Sequence, residues 1–272
     1  MTERARLDHT VINVQFEMDK AQGQFGELGF FLTDRGYHPL GSINHLMMFG
    51  TDYLELLGLP PGAENPRKDI AEDPVGINGL VFKTTDADAT FAHMQALGIA
   101  GDPPKSFSRP VKLPEGEKDA AFRTVTVRPG VFPGGRVYFC EHHTPDLVWR
   151  PEWQSHGNGI QAIPEFVIAS NDHAGEAETF AKLLHSDVSG SGDSLSVAIT
   201  DAQITVMTPA AYAERYGALA SPMAGRSSIF GALVFRTDSL DKIRAAASNT
   251  IDEAKRVVVR VSDFDAVLEF VE

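Results

Sequence analysis

Two side chains far apart in the chain are of the types that metal chelation and proton transfer require. His9 opens the apolar run His9-Thr10-Val11-Ile12-Asn13-Val14, and Glu55 sits inside Tyr53-Leu54-Glu55-Leu56-Leu57. A carboxylate among leucines is costly to bury unless a cation or hydrogen-bond donors meet it. A neutral imidazole serves as a metal ligand or as a proton carrier near neutral pH. A third cluster, Glu141-His142-His143, ends the run Val137-Tyr138-Phe139-Cys140. Alternate residues of a strand share a face, so an undistorted strand directs either Glu141 and His143, or His142, to a given side; a bulge would change the choice. Each group also has a plainer reading. A histidine opening a strand can be a hydrogen-bonded structural residue, Glu55 can pair with Arg or Lys, and Glu141-His142-His143 can be a solvated strand end.

The elements that must position these residues repeat. Leu80-Val81-Phe82-Lys83-Thr84 and Leu233-Val234-Phe235-Arg236-Thr237 are each followed by an aspartate and an amphipathic stretch, and the runs at His9 and Phe166 echo them. A recurring unit decides architecture before residue chemistry does. In the first unit, a strand at 7–14 leads to a helix with Ala21, Phe25 and Leu28 at spacings of four and three, closed by Gly29. Strands are expected at 30–33, 44–49 and 53–57. The second unit runs through a strand at 79–84, a helix at 86–97 closed by Gly98, and strands at 105–111, 122–127 and 136–142. Two further units follow a Trp-bearing, aperiodic strap, the third with an inserted helix at 210–216 and the fourth abbreviated. His93, His156, His173 and His185 fall on helix faces or in the strap and are read as solvent-facing; Trp149 and Trp153 are read as packing the strap.

The composition narrows the partners. With 37 acidic and 24 basic residues the net charge is −13, which works against nucleic acid or an anionic membrane, since phosphate binding depends on Lys and Arg. A small molecule is the expected partner. Cys140 is the only cysteine, so an intramolecular disulfide and an all-thiolate zinc site are excluded. No apolar run approaches the ~18 to 20 residues that span a bilayer, and nothing near Arg4 and Arg6 reads as a secretory leader. A cytoplasmic protein is expected, as a monomer or homodimer, because four units in one chain can build their cups internally.

Four such units, with Leu7-Asp8-His9, Leu28-Gly29-Phe30, His38-Pro39-Leu40-Gly41, Asn44-His45 and Tyr53-Leu54-Glu55-Leu56-Leu57, resemble the vicinal oxygen chelate superfamily. That group includes glyoxalase I, extradiol dioxygenases and bleomycin resistance proteins; the likeness is to its glyoxalase-like branch. It covers the first 58 residues well and thins toward the C-terminus. It implies an α+β fold of four βαβββ modules paired into two cup-shaped mixed sheets. The halves expected are 1–147 (modules about 5–60 and 76–143) and 161–272 (modules about 161–209 and 228–272), joined by a linker at 148–160.

The resemblance further implies a metal-dependent lyase or isomerase acting on a small oxygen-bearing substrate in the N-terminal cup. The divalent metal (Zn, Mn, Ni, Fe or Mg) would be drawn to His9, Glu55, Glu141, His142 and His45. Glu55 or Glu141 would be the base, with Phe49, Tyr53, Tyr138 and Phe139 around the substrate. One departure from the pattern is Gly79, which stands near the place of a second first-strand histidine. It favours the alternative of a metal-free binding protein of the bleomycin-resistance kind; a non-haem iron dioxygenase is a third reading. In the C-terminal half only Glu269 resembles a ligand, since the positions near Phe166 and Ala232 are not histidines. That half reads as a duplicate without its chemistry.

Overall fold

In the computed structural model, which describes residues 4–272, the period-two runs form strands and the 3.6-period runs helices. The first three residues of the expected leading half lie outside the described residues. The leading half contains β1 Leu7–Gln15, β2 Gly36–Tyr37, β3 Ile43–Met48, β4 Tyr53–Gly58, β5 Gly76–Lys83, β6 Lys105–Leu113, β7 Gly116–Thr126 and β8 Arg136–His142. After the strap come β9 Ile160–Ser170, β10 Val188–Ser191, β11 Ser194–Ala198, β12 Gln203–Met207, β13 Ser228–Thr237, β14 Thr250–Glu253, β15 Arg256–Val261 and β16 Ala266–Val271. The helices are α1 Met18–Glu27, α2 Lys68–Ala71, α3 Ala87–Ala96, α4 His173–Leu183, α5 Pro209–Tyr216 and α6 Leu240–Ala246.

Local chemistry explains the helix ends. Met18, Ala21 and Phe25 make the buried stripe of α1, and Gly29, at φ +83°, takes the left-handed turn that ends it. The Asp86 carboxylate accepts from Ala89 N at 2.9 Å to cap α3, while Thr208 accepts from Ala211 N at 3.3 Å before Pro209 starts α5.

Two 8-stranded mixed sheets result, ordered β2-β3-β4-β1-β5-β8-β7-β6 and β10-β11-β12-β9-β13-β16-β15-β14. The fold is thus α+β, with four βαβββ modules joined in pairs. In each pair the first strands run antiparallel at the sheet centre, and each last strand lies parallel to its own module's first strand. The expected strand at 30–33 does not form. There Thr33 instead exchanges backbone and hydroxyl bonds with Leu46, and only Gly36–Tyr37 pairs as a strand.

Burial separates the faces. One core, containing Ile12, Phe25, Phe49, Phe82, Phe166, Phe235 and Phe270, fills the space between the sheets and under α1, α3, α4 and α6. The concave side of the first sheet has its own cluster, including Val11, Leu46, Tyr53, Val81, Phe122 and Cys140, with Trp149 and Trp153 of the strap against it. Those tryptophans therefore pack on the cup. His156, expected in solvent, is buried: its Nε2 lies 2.7 Å from Met48 O and its Nδ1 accepts from Phe31 N at 3.0 Å. Two backbone groups that an aperiodic loop would leave unpaired are met by that ring. Among the described residues no helix is long and apolar enough to cross a membrane.

Candidate functional site

The leading cup brings His9 and Glu55 together. Val11 of β1 lies opposite Glu55 of β4, and His9 opposite Tyr53, so parallel pairing puts the imidazole one pleat from the carboxylate on the concave face. His9 Nε2 is 3.6 Å from Glu55 Oε2, and both residues are buried. The imidazole stacks on Tyr53 with ring centroids 4.4 Å apart, and Tyr138 OH stands 3.2 Å from Nε2. Asn44 donates to the other carboxylate oxygen, Glu55 Oε1, at 2.6 Å. One oxygen of Glu55 is thereby fixed while the second faces His9.

A bulge supplies a residue that strand alternation would hide. Leu7 pairs with Phe82 and His9 with Val81, leaving Asp8 as an extra residue on β1. Leu7 consequently packs in the core between the sheets, and Asp8 turns to the concave side beside His9. Asp8 is fully buried; its Oδ1 is 2.6 Å from His9 Nδ1, and its Oδ2 is 2.9 Å from His142 Nε2. Burial pushes the Asp8 carboxyl up, but the adjacent His142 and His9 rings outweigh it and hold the group well below the usual carboxylate range. A carboxylate on one ring nitrogen orients the imidazole and leaves the other nitrogen facing the cup.

Two donor sets in this cup suit a cation. One is His9 Nε2 with Glu55 Oε2. The other is Asp8, Cys140 and His142, whose ligand atoms all lie within 4.8 Å of one another. Asp8 Oδ2 and both nitrogens of His142 are buried without an aligned hydrogen-bond partner among the described residues. Orphaned buried donors and acceptors of this kind fit a metal ion. Burial, then Asp8 and Glu55, push the Cys140 thiol far up, so only a bound cation would make it a thiolate.

Other expected residues lie elsewhere. Glu141 is on the far face of β8, where Oε2 accepts from Ala87 N at 3.2 Å at the start of α3. His143 is exposed beside it. The regular alternation of β8 sends Tyr138, Cys140 and His142 into the cup without any bulge, and Phe139 into the core between the sheets. His45 also faces away: its Nδ1 is 2.7 Å from Thr33 O, and Arg35 Nε donates to its Nε2 at 3.2 Å. Phe49 packs against Phe30, Phe235 and His156 between the halves, leaving Tyr53 and Tyr138 as the expected aromatics that line the cup.

Sequence reasoning passed over four residues: Asp8, Asn44, His38 and Arg109. Burial lowers His38 to about 4, opposed by Glu55 and reinforced by Arg109 and Arg67, so its ring is neutral at pH 7. The signal for His38 and Asn44 was their place in the stretch that carries the resemblance; for Arg109 there was none.

The family profile described as a glyoxalase-like domain matches residues 7–184, from β1 through α4. The chain belongs to the glyoxalase-like domain family. No match emerges among curated proteins. Among solved structures, a hypothetical protein from Staphylococcus aureus aligns with TM-score 0.70 at 11% identity over 98% of each chain. A variant of 4-hydroxymandelate synthase from Streptomyces coelicolor aligns with TM-score 0.56 at 12% identity over 99% of this chain and 93% of that one. A fusion of a xylose isomerase-like TIM barrel with a 4-hydroxyphenylpyruvate dioxygenase aligns with TM-score 0.60 at 13% identity, over 99% of this chain and 49% of that one. These likenesses are of fold.

In this member of the family the second cup is filled by its own helix. Tyr212 and Tyr216 of α5 pack against Val167 and Val267. Arg215 binds Glu165 through two hydrogen bonds of 2.8 and 3.0 Å and approaches Glu269 at 2.9 Å. Tyr216 OH donates to Glu269 at 2.9 Å, and Arg256 lies 3.6 Å from its other oxygen. The residue resembling a metal-binding glutamate is thus committed to a protein ion pair.

Proposed function

We propose that the leading cup is the active site of a metal-dependent lyase or isomerase of the glyoxalase type, acting on a small oxygen-bearing substrate. The observation that carries this reading is the buried pair of His9 Nε2 and Glu55 Oε2 at 3.6 Å, with Asp8 holding the other nitrogen of His9. His9 with Glu55, or Asp8 with Cys140 and His142, would hold the metal. When bound, such an ion supplies a Lewis acid that stabilises a developing oxyanion.

The chain's own groups carry the proton. Glu55, steadied by Asn44, would take the proton from the hydroxyl-bearing carbon of an α-hydroxycarbonyl unit. The electron pair moves onto the carbonyl oxygen, giving an enediolate. Glu55 returns the proton to the former carbonyl carbon while the hydroxyl proton passes to the neighbouring oxygen, which completes an isomerisation. Tyr138, kept protonated by burial and by Glu55, can donate a hydrogen bond to the developing charge. Tyr53, Trp149 and Trp153 limit water.

Metal analysis of protein purified without added metal, repeated for His9→Ala, Glu55→Ala and His142→Ala, tests the reading. Stoichiometric metal lost in His9→Ala and Glu55→Ala supports it with the first donor set. Loss in His142→Ala alone assigns the deeper triad. No metal in any preparation removes the enzyme reading. A second reading, ligand capture without metal, draws on the same pair: Tyr138 OH already meets His9 and Asn44 already meets Glu55. A dioxygenase reading has only the likeness of fold behind it.

A further inference from the structure

Among the described residues Arg109 has no hydrogen-bonding or ion-pairing partner, where a buried guanidinium requires one. It sits on β6, two residues before Val111, and its side chain turns into the leading cup, with the guanidinium 5.9 Å from the Phe122 ring centre. It is only 9% exposed, yet among the described residues it makes no hydrogen bond and no ion pair. Arg215, the comparable arginine of the second cup, is fully engaged by Glu165 and Glu269. A guanidinium cannot shed its proton to escape a dry site, and burying it unpaired is among the costlier arrangements in a protein. Burial works against the Arg109 charge, and Tyr53 and Glu55 favour it electrostatically with no hydrogen bond to it.

The surroundings indicate what meets that charge. A cavity of about 70 Å³ opens at Arg109, bounded also by Arg35, Lys112, Asp34, Glu117 and Trp153. One water needs about 10–15 Å³ of such volume, so the cavity takes a head group of several heavy atoms. Arg35 is tied to Asp19 at 2.6 Å, and Lys112 stands exposed at the rim. Arg109 is therefore the buried cation of this cavity that no carboxylate meets among the described residues. A Cβ at Gly36 would collide with Asn44 Oδ1 and stand 3.5 Å from Arg109 Nη1. Glycine at that position lets the guanidinium and the amide that steadies Glu55 converge. One buried guanidinium, with Asp34 and Glu117 also in the lining, suits a planar monoanion better than a phosphate dianion, and the guanidinium fork matches a carboxylate through two parallel hydrogen bonds.

We propose that the substrate of the leading cup carries a carboxylate, held by Arg109, with the adjoining carbon turned toward Glu55 and His9. This substrate class rests on the reading of the cup as an active site, whereas the anion site itself needs only Arg109. The test uses lactate and phenylacetate against their uncharged amides, lactamide and phenylacetamide, with tryptophan fluorescence and thermal melting of the full chain as readouts. Saturable binding of the acids but not the amides, weakened about 10- to 100-fold in Arg109→Met, supports the proposal. Support is strengthened if ligand-free Arg109→Met melts no lower than wild type, as removal of an unpaired buried charge requires. Should that variant fail to fold, Arg109→Lys decides: weakened binding that still prefers acid over amide supports the assignment. Equal binding of acids and amides, unchanged affinity in the variants, or inorganic phosphate outcompeting both acids overturns it. Acid binding that depends on Arg109 in protein without metal leaves the anion site standing and removes only the catalytic reading. Metal that depends on His9, with no preference for acids, removes only the carboxylate.

Discussion

Asp8 is the residue on which the chemistry of His9 turns. It bridges His9 and His142 from a position with no exposure to solvent. Its folded-state pKa lies below the unfolded value of about 3.8, so its contribution to stability is complete above that pH and fades as pH falls toward the folded value. Replacing Asp8 by Asn removes the charge and keeps the size. Urea unfolding at pH 7 should show a loss of about 3–5 kcal/mol, the cost of breaking a buried pair, and the gap between variant and wild type should close in strong acid. On the proposed reading of His9 as a metal ligand, the same substitution should weaken metal binding about 10- to 100-fold, because the carboxylate that orients the imidazole is lost. A gap that persists unchanged into acid would contradict the assigned pairing.

At the scale of the element, the pleat decides which neighbours share the cup. The sequence presents Glu141 and His142 as equals, and Tyr138 and Phe139 likewise. The burial of Val137 and Phe139 in the core between the sheets settles both choices, since their parity carries Glu141 away from His9. Beside His9 the alternation of β1 fails at the bulge at Asp8, and no local signal in Leu7-Asp8-His9 announces it. The odd glycine of β5 has a packing cause. Gly79 faces Val11 across the central pair, and a Cβ there would stand 2.6 Å from Val11 Cβ. Gly79→Ala should therefore destabilise by about 1–3 kcal/mol, and Val11→Ala in the same chain should recover part of the loss. Additive effects in the double-mutant cycle would refute the contact. Gly79→His, which the family pattern would suggest, meets the same obstruction.

The whole molecule joins its halves through one shared core and a few polar ties. Asp52, in the turn before β4, accepts from Ile163 N at 3.0 Å, linking the first sheet to β9. Burial raises this carboxyl to about 6. For an acid whose folded pKa is raised, the folded state holds the extra proton, so stability is lost as pH climbs from about 3.8 through 6 and stays lower above it. Asp52→Asn should gain of order 3 kcal/mol over wild type at pH 8 and nothing at pH 3, measured by denaturant unfolding across that range. A constant difference at all pH values would show that the carboxyl does not titrate in the fold. The second half contributes its share of the common core while α5 occupies its cup. The absence of histidines near Phe166 and Ala232 was legible in the sequence; the occupation of that cup by Arg215 was not.

The sequence by itself determined most of the strands and helices and the four-module plan, because periodicity and turn residues act within a few neighbouring positions, while the expectation that His9 and Glu55 share a site came from the resemblance. The tertiary structure alone decided that Asp8 joins them, that His142 enters the cup while Glu141 leaves it, and that Arg109 and Asn44 converge beneath Gly36. Those meetings depend on register and curvature across strands that in one case lie more than a hundred residues apart, where a shift of one position reverses every side chain.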